Sequence, residues 1–471
     1  MGGLFGIVSK KDCVDDLFYG TDYHSHLGTM RGGLAVKNSN GFNRYIHNIT
    51  NAQFRSKFED DIKKMHGNKG IGVISDYEDQ PLIIGSHLGT YAIVTVGKIS
   101  NLEELAKKAF ENRKTHFTEM SGGEINPTEL IATLINEGYS FEEGIQIAQN
   151  AVKGSCTMLL LTKEGIYVAR DKLGRHPIVI GKKDNSYAAT SETCAFPNLK
   201  FEIEKHLGPG EIVFMNQDGI EQKKEPNKKM QICSFLWVYY GYPSSNYEGI
   251  NVEEARNKCG AALAKRDDIK ADIVAGIPDS GTAHAIGYSM QSRIPYRRPF
   301  VKYTPTWPRS FMPQDQSIRN LVAEMKLIPI KELIKDKKLL FCEDSIVRGT
   351  QLQGNVELLF ELGADEVHMR PACPPLTYSC KFLNFSRSRT IMDLATRKAI
   401  KDLTGKEKLS EEELKEYSNP DSEKYKEMVA QIGKKLNLTS LKYQRLDDLV
   451  SAIGLPKEKL CTHCWDGSSY F

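Results

Sequence analysis

The sequence predicts two folds in one chain, an α+β sandwich over residues 1–228 and a parallel α/β unit over 229–390, closed by a helical extension over 391–471. Three observations carry this. Before residue 230, short apolar runs bounded by Gly-bearing turns mix with helical stretches without strict alternation. Further on, two segments each read apolar strand, small-residue loop, helix, the pattern of a parallel sheet. Between them, Lys223-Lys224-Glu225-Pro226-Asn227-Lys228-Lys229-Met230 is polar and carries a proline, which suits a hinge.

In order, strands are expected at 4–8, 71–74, 91–96, 157–161, 166–169, 178–180 and 211–214, and helices at 101–110, after Pro127, and at 141–152. In the second half, Asp272-Ile273-Val274-Ala275-Gly276-Ile277-Pro278 forms a strand, Asp279-Ser280-Gly281-Thr282 a loop, and a helix runs through His284 to Ser292. The unit repeats at Leu339-Leu340-Phe341, where Glu343-Asp344 and Ser345-Ile346-Val347-Arg348-Gly349-Thr350 lead into Leu352, Val356, Leu359 and Phe360 at helical spacing. Residues 389–437 are dominated by Lys and Glu and read as solvated helices without chemistry. The stretch 441–453 has the apolar spacing to dock one more helix.

With 471 residues, 40% hydrophobic and 26% charged, the chain can bury two or more cores. A net charge of +3 without a basic block gives no case for nucleic acid. No apolar run approaches a membrane span, and residues 1–8 lead into Ser9-Lys10-Lys11-Asp12 without a basic leader, so the expected location is the cytoplasm. Ten scattered cysteines do not suit a secreted disulfide framework, whereas Cys461-Thr462-His463-Cys464 has ligand-type spacing.

The loop at 345–350 is the chemically richest stretch. Where a parallel strand feeds a helix, the first helical N–H groups lack partners and favour an anion. Ser345 and Thr350 add hydroxyls, Gly349 lets the backbone approach, and Glu343 and Asp344 can hold ribose hydroxyls or a divalent cation. A Walker loop is excluded because no Gly-Lys-Ser/Thr ending follows, and a dinucleotide fingerprint because the three-glycine spacing is absent.

This strand, acid pair and Ser-Ile-Val-Arg-Gly-Thr loop resemble the phosphoribosylpyrophosphate (PRPP) signature of type I phosphoribosyltransferases. The resemblance widens with Gly3-Leu4-Phe5-Gly6-Ile7, with Ala169-Arg170-Asp171-Lys172-Leu173-Gly174-Arg175-His176-Pro177, with Thr190-Ser191-Glu192-Thr193-Cys194-Ala195 and with Leu207-Gly208-Pro209-Gly210-Glu211. Over nearly its whole length the chain is identified as a member of the glutamine PRPP amidotransferase family. The implied fold is an N-terminal-nucleophile (Ntn) hydrolase-like αββα sandwich followed by a type I phosphoribosyltransferase domain.

A glutaminase of this kind needs a cysteine thiolate on the chain's own N-terminus, with the α-amine as base. Here Met1-Gly2-Gly3 carries no sulfur, and Cys13, the next cysteine, has no free amine. The family's arginine clamp for the glutamine carboxylate is missing in Gly72-Val73-Ile74-Ser75-Asp76-Tyr77, its Asn-Gly oxyanion pair is Val96-Gly97, and its acid before Thr128-Glu129 is Pro127. Only Arg31-Gly32 survives of its His-Arg-Gly-Gln segment. Losing one oxyanion donor alone costs about 10²–10³ in rate. The expectation is a retained fold with glutamine hydrolysis lost.

For the second half the resemblance implies that PRPP is held by Asp279, Ser280, Gly281 and Thr282 at its diphosphate and by Ser345 through Thr350 at its phosphate. Mg²⁺ falls to Ser280, Glu343 and Asp344, diphosphate contacts to Arg309 and Lys326, and a closing loop to residues 295–315, stiffened by Pro305 and Pro308. Catalysis falls to Glu343 and Asp344 with Lys326 and Arg309. The family usually has Asp-Asp; the extra methylene of Glu343 moves a carboxylate by about 1.5 Å, and misplacement by about 1 Å can cost about 10²-fold in rate. Cys233, Cys380, Cys461 and Cys464 match the [4Fe–4S] ligands of one branch of the family, a set that zinc also accepts, with Cys373 a competing ligand and the other cysteines buried apolar residues. The implied partners are PRPP, ammonia, purine nucleotides as regulators and three further copies in a homotetramer. The function expected is synthesis of phosphoribosylamine from PRPP and ammonia for purine synthesis. The alternatives are a regulatory or scaffolding paralogue that binds PRPP or nucleotides, and a phosphoribosyltransferase for another amine.

Overall fold

Strict alternation of inward and outward side chains decides the N-terminal architecture. In the computed structural model, which describes residues 2–50, 52–111, 117–121, 123–303, 326–383 and 391–470, Leu4 and Val8 of the strand Gly3–Val8 face one way and Phe5 and Ile7 the other. Leu4, Val8, Ala35, Ile71 and Val73 meet Ala92, Val94, Leu159, Leu161, Val168 and Val213 of a second sheet in one core. Phe5, Ile7, Leu34 and Ile74 instead pack under the helices Val14–Asp22 and Phe54–Ile62. On the far side, Tyr91, Ile93, Met158 and Leu160 pack under Leu102–Glu111, Pro127–Ile135 and Phe141–Ala151. The layers are therefore α, β, β, α.

The first sheet runs Glu202–His206, Val179–Lys183, Ser186–Thr190, Gly3–Val8, Lys69–Ser75, Arg31–Asn38, Gly41–Asn48. The second runs Ile220–Lys224, Ile212–Met215, Ile166–Ala169, Gly154–Leu161, Gly89–Ile99, Leu82–Ser86. Neighbours in both are antiparallel. All seven strands expected from the sequence are present, Ile166–Ala169 with the expected ends and the other six with shifted ones, and Val152, Ile178 and Glu211 lie just outside their elements. The strands Arg31–Asn38, Gly41–Asn48, Leu82–Ser86, Ser186–Thr190, Glu202–His206 and Ile220–Lys224 lie outside the sequence expectation, because glycine, charge or, in Ser186–Thr190, small polar residues dilute their apolar pattern. Lys223 and Lys224, read as hinge, close the last of these.

The second half holds a parallel sheet in the order Ile273–Gly276, Lys338–Glu343, Glu366–Pro371, Ser440–Leu441. One face carries Val274, Leu340 and Cys342 against Leu263 of the helix Val252–Lys265 and Ala285 and Tyr288 of Thr282–Ser292. The opposite face packs Ala275, Leu339, Phe341 and Val367 against Leu352, Val356 and Leu359 of Thr350–Glu361. Asp267, after the first helix, meets Arg370 of the third strand in a pair whose side chains are each 1% exposed.

The Lys/Glu-rich region departs from expectation. Its helices Ala395–Thr404, Glu411–Ser418 and Glu423–Lys435 bury Ala395 and Ala399, Leu414 and Tyr417, and Met428 and Ile432 at three- and four-residue spacing. A narrow apolar stripe suffices to dock a helix whose other face is charged. Leu446–Ile453 docks as expected, against Val252–Lys265. Among the described residues no helix is long and apolar enough to cross a membrane.

Candidate functional site

The two strands that carry the loops are direct parallel neighbours, with Gly276 opposite Cys342. Both loops therefore leave the sheet at the same carboxyl-terminal edge, where open α/β sheets bind ligands. Close contact between them depends on glycine: a β-carbon on Gly281 would stand 2.2 Å from the Cys342 carbonyl oxygen, and one on Gly276 would stand 2.5 Å from the Gly281 carbonyl carbon. Ile277 N–H donates to that same Cys342 oxygen at 3.0 Å.

Across this junction Ser280 Oγ donates to Glu343 Oε1 at 3.2 Å. Asp344 N–H donates to the same Glu343 oxygen at 3.1 Å, and Ser345 Oγ donates to Asp344 Oδ2 at 2.6 Å. Asp344 is buried and Glu343 half-buried. Burial first, and the neighbouring Asp344 carboxylate second, push the Glu343 carboxyl well above the usual range. Gly349 takes φ 79° to turn the chain into the helix Thr350–Glu361, and Thr350 at its first position is exposed.

Asp279 is exposed and ion-paired with Lys302 Nζ at 2.6 Å. Thr282 opens its helix; Gly281 precedes it. Ile346 is buried in the core and Val347 packs beneath the loop, its carbonyl receiving the Ala395 N–H at 2.8 Å, so both offer backbone only. Arg348 is exposed, with Nη2 3.6 Å from Asp393 Oδ2. Lys326 sits at the base of the hairpin formed by Phe300–Lys302 and Leu327–Pro329, its carbonyl accepting the Tyr303 N–H at 3.0 Å. Arg309 and Thr304-Pro305-Thr306-Trp307-Pro308 lie outside the described residues.

Two basic residues near this edge escaped the sequence reading. Lys302 falls within the expected closing loop of residues 295–315, and its contact with Asp279 needs the fold. Arg256, buried in the helix Val252–Lys265, donates to the carbonyls of Trp237, Tyr239 and Gly241 and lies within the electrostatic reach of Asp344. An arginine among Ala255, Cys259 and Leu263 on an inward helix face was the available signal.

The four cysteines of the expected ligand set lie within electrostatic reach of one another. Cys233 and Cys461 are direct partners in a parallel strand pair. Cys464 and Cys380 interact through their thiols, and each thiol of Cys233, Cys461 and Cys464 is pushed up by burial and by others of the set, with the Cys464 shift led by Cys380. Cys373 lies in the same core as the set, within the electrostatic reach of Asp344 and Cys259. Thiolate sulfurs suit iron–sulfur or zinc chemistry, and the oxygens of Ser280, Glu343 and Asp344 suit Mg²⁺. Among the described residues, however, no three His, Cys, Asp or Glu side chains stand in a metal-holding arrangement.

At the N-terminus Gly2 is fully enclosed. A β-carbon there would stand 2.3 Å from the Ile74 carbonyl oxygen and 3.2 Å from Val96 Cγ2. The His176 imidazole donates to the backbone of this residue, which favours its charged form, but burial prevails and pushes it down to about 3. Cys13 is buried and its thiol pushed up, chiefly by burial and then by Asp12 and Asp16. Of the remaining counterparts, Asp76 Oδ1 caps Thr29 N–H at 3.0 Å and Arg31 Nε donates to Asp79 Oδ1 at 2.7 Å. Pro127 opens the helix capped by Asn126. Gln80 fills the interior, donating to Thr95 O at 3.0 Å and accepting from Thr95 N–H at 2.8 Å and Thr128 Oγ1 at 3.2 Å.

Comparison with known proteins agrees with both halves. A glutamine amidotransferase domain family model matches residues 69–198. The amidophosphoribosyltransferase of Bacillus subtilis (strain 168) is 30% identical over 390 residues, covering 80% of this chain and 80% of the relative. That of Methanocaldococcus jannaschii is 28% identical over 497 residues, covering 99% and 97%. Among solved structures, the glutamine PRPP amidotransferase from B. subtilis complexed with ADP and GMP superposes with a TM-score of 0.83 at 26% identity, covering 99% of this chain and 97% of that one.

Proposed function

The chain belongs to the amidophosphoribosyltransferase family, glycosyltransferases of the phosphoribosyltransferase class, and from that premise we propose that it converts PRPP and ammonia to 5-phosphoribosylamine and diphosphate, its own glutamine-cleaving activity lost. The observation that carries the first part is the 3.2 Å contact between Ser280 and Glu343, which joins the two loops into one crevice. The second part is supported by Gly2, where the β-carbon of any nucleophile would collide with Ile74 and crowd Val96.

The reaction breaks the bond between the anomeric carbon and the diphosphate oxygen, forms a carbon–nitrogen bond to ammonia and releases a proton. Positive charge grows on the sugar and negative charge on the departing group. Helix N–H groups after Gly349, with Ser345 and Thr350, hold the phosphate; the carboxylates of Glu343 and Asp344 accept the ribose hydroxyls. Asp279 to Thr282 receive the diphosphate, with Lys302, Lys326 and Arg309 as its basic neighbours. Ser280, Glu343 and Asp344 would hold Mg²⁺, which when bound neutralises charge on the leaving group. No covalent intermediate is required, so the work is mostly positioning.

Cys233, Cys380, Cys461 and Cys464 would hold a [4Fe–4S] cluster, or zinc, tying the tail to the second domain; iron and sulfide against zinc in anaerobically prepared protein decides between them. We read the division as 1–228, 229–390 and 391–471, working in the cytoplasm as a homotetramer. Regulation by purine nucleotides is supported by the nucleotides bound to the B. subtilis relative. The test is diphosphate release from PRPP and Mg²⁺ with ammonium, with glutamine, or with no acceptor. Release with ammonium alone is expected; release with none of the three would leave a PRPP-binding regulatory role.

A further inference from the structure

Far from the crevice, on the N-terminal sandwich, a cavity of about 460 Å³ is lined by Lys10, Lys11, Lys37, Lys69, Lys163 and Asp12. Five lysines and one aspartate thus line it, a larger formal excess than the net +3 of the whole chain. That carboxylate is already engaged: Asp12 accepts the Val14 N–H at 3.0 Å and the Gly67 N–H at 2.9 Å, with His66 3.8 Å away.

The arrangement is costly as it stands. Lys37 and Lys69 are direct partners in the antiparallel pairing of Arg31–Asn38 with Lys69–Ser75, and like charges opposite one another destabilise a sheet. Both are half-buried. Lys69 Nζ donates to the Lys163 carbonyl at 2.6 Å and Lys37 Nζ to the Asn38 carbonyl; among the described residues neither meets a carboxylate within 4 Å. Burial, then the nearby Lys37, holds the Lys69 ammonium below its ordinary range, against the pull of Glu164. Elsewhere on the surface, lysines such as Lys63, Lys108 and Lys258 sit beside acids three or four residues away. The cavity has the volume of a small-molecule site.

We propose that this cavity binds a multiply charged phosphate anion, either an inorganic polyphosphate or the phosphate chain of a nucleotide, at a site separate from the phosphoribosyl crevice. No residue is shared between the two. The anion would lie across the Lys37/Lys69 pair and replace a repulsion with two charge-assisted contacts.

The experiment measures binding of inorganic triphosphate, and in a second arm of ATP, to the full chain carrying Ser345→Ala and Thr350→Ala, which weakens the crevice as a competing site. Binding is expected, weakening with salt as charge-driven contacts do. Adding Lys37→Met and Lys69→Met should reduce affinity at least about tenfold. The same pair of changes should raise or preserve the melting temperature without ligand and abolish the rise caused by triphosphate. Equal affinity for the two probes would assign recognition to the phosphate chain; tighter ATP binding would assign part of it to the nucleoside. Absence of binding in the parent, or affinity unchanged in the lysine variant, would overturn the proposal, leaving these lysines merely solvated. Neither outcome bears on ammonia-dependent turnover, which is measured separately on the unaltered chain.

Discussion

At the edge of the parallel sheet, Ser280, Glu343, Asp344 and Ser345 bond to one another and leave Thr350 exposed at a helix start, whereas at the start of the sandwich Gly2 is pressed between Ile74 and Val96. Both regions keep their strand register. The difference shows that backbone hydrogen bonds and apolar alternation hold a fold, while a handful of side chains hold its chemistry. Val96 serves the sheet as a buried apolar residue, and Pro127 serves the helix start; on the proposed reading neither offers what amide cleavage needs.

The comparison can be strained first at its scaffold. Asp267→Ala would strand the buried Arg370 and should cost about 3–5 kcal/mol, read as a lower urea midpoint. Burial would raise the Asp267 carboxyl, but Arg370, Tyr288 and Lys442 pull it down to about 2. Because its folded value is depressed, the stabilisation is present above its ordinary value and is lost as pH falls towards about 2. Acid unfolding should therefore shift to higher pH or disappear into a lower baseline in the variant.

Within the crevice, Asp344→Asn should lower diphosphate release about 10²–10³-fold with little change in melting temperature. Restoring the shorter acid by Glu343→Asp should raise turnover, by up to about 10²-fold; a fall would mean that the surrounding residues have adapted to glutamate. Glu343 has its folded value raised, so the folded chain binds the extra proton above the ordinary carboxylate range. In the proposed role, Glu343 would hold ribose and Mg²⁺ in its charged form. Affinity for PRPP with Mg²⁺ should accordingly fall as pH drops through that raised value, and Glu343→Gln should remove this pH dependence.

The smallest effect tests the closed pocket. Gly2→Cys should destabilise by about 1–3 kcal/mol through overpacking, seen in thermal melts, and should release no glutamate from glutamine. Recovery of glutamine cleavage by this one change would mean that the pocket can reopen.

Much of this contrast was legible beforehand. The signature from Leu339 to Thr350 declared its strand, turn and helix because apolar run, acids and hydroxyls follow one another within a single local unit. The missing sulfur at position 2 was equally plain. What the sequence hid were relations across the fold. Lys302 meets Asp279 only because a hairpin folds back onto the loop of residues 279–282, and Arg256 nears Asp344 from a helix that ends more than seventy residues earlier. The buried stripes at Ile400, Met428 and Ile432 were masked by the Lys and Glu around them. Strands such as Arg31–Asn38 were masked by glycines that suit close packing and dilute the apolar signal.

The most direct measurement compares ammonium and glutamine as nitrogen donors for phosphoribosylamine formation in one preparation, at saturating PRPP and Mg²⁺. The account predicts turnover that rises with ammonium and none above background with glutamine. Sustained glutamine-driven product with stoichiometric glutamate would contradict it.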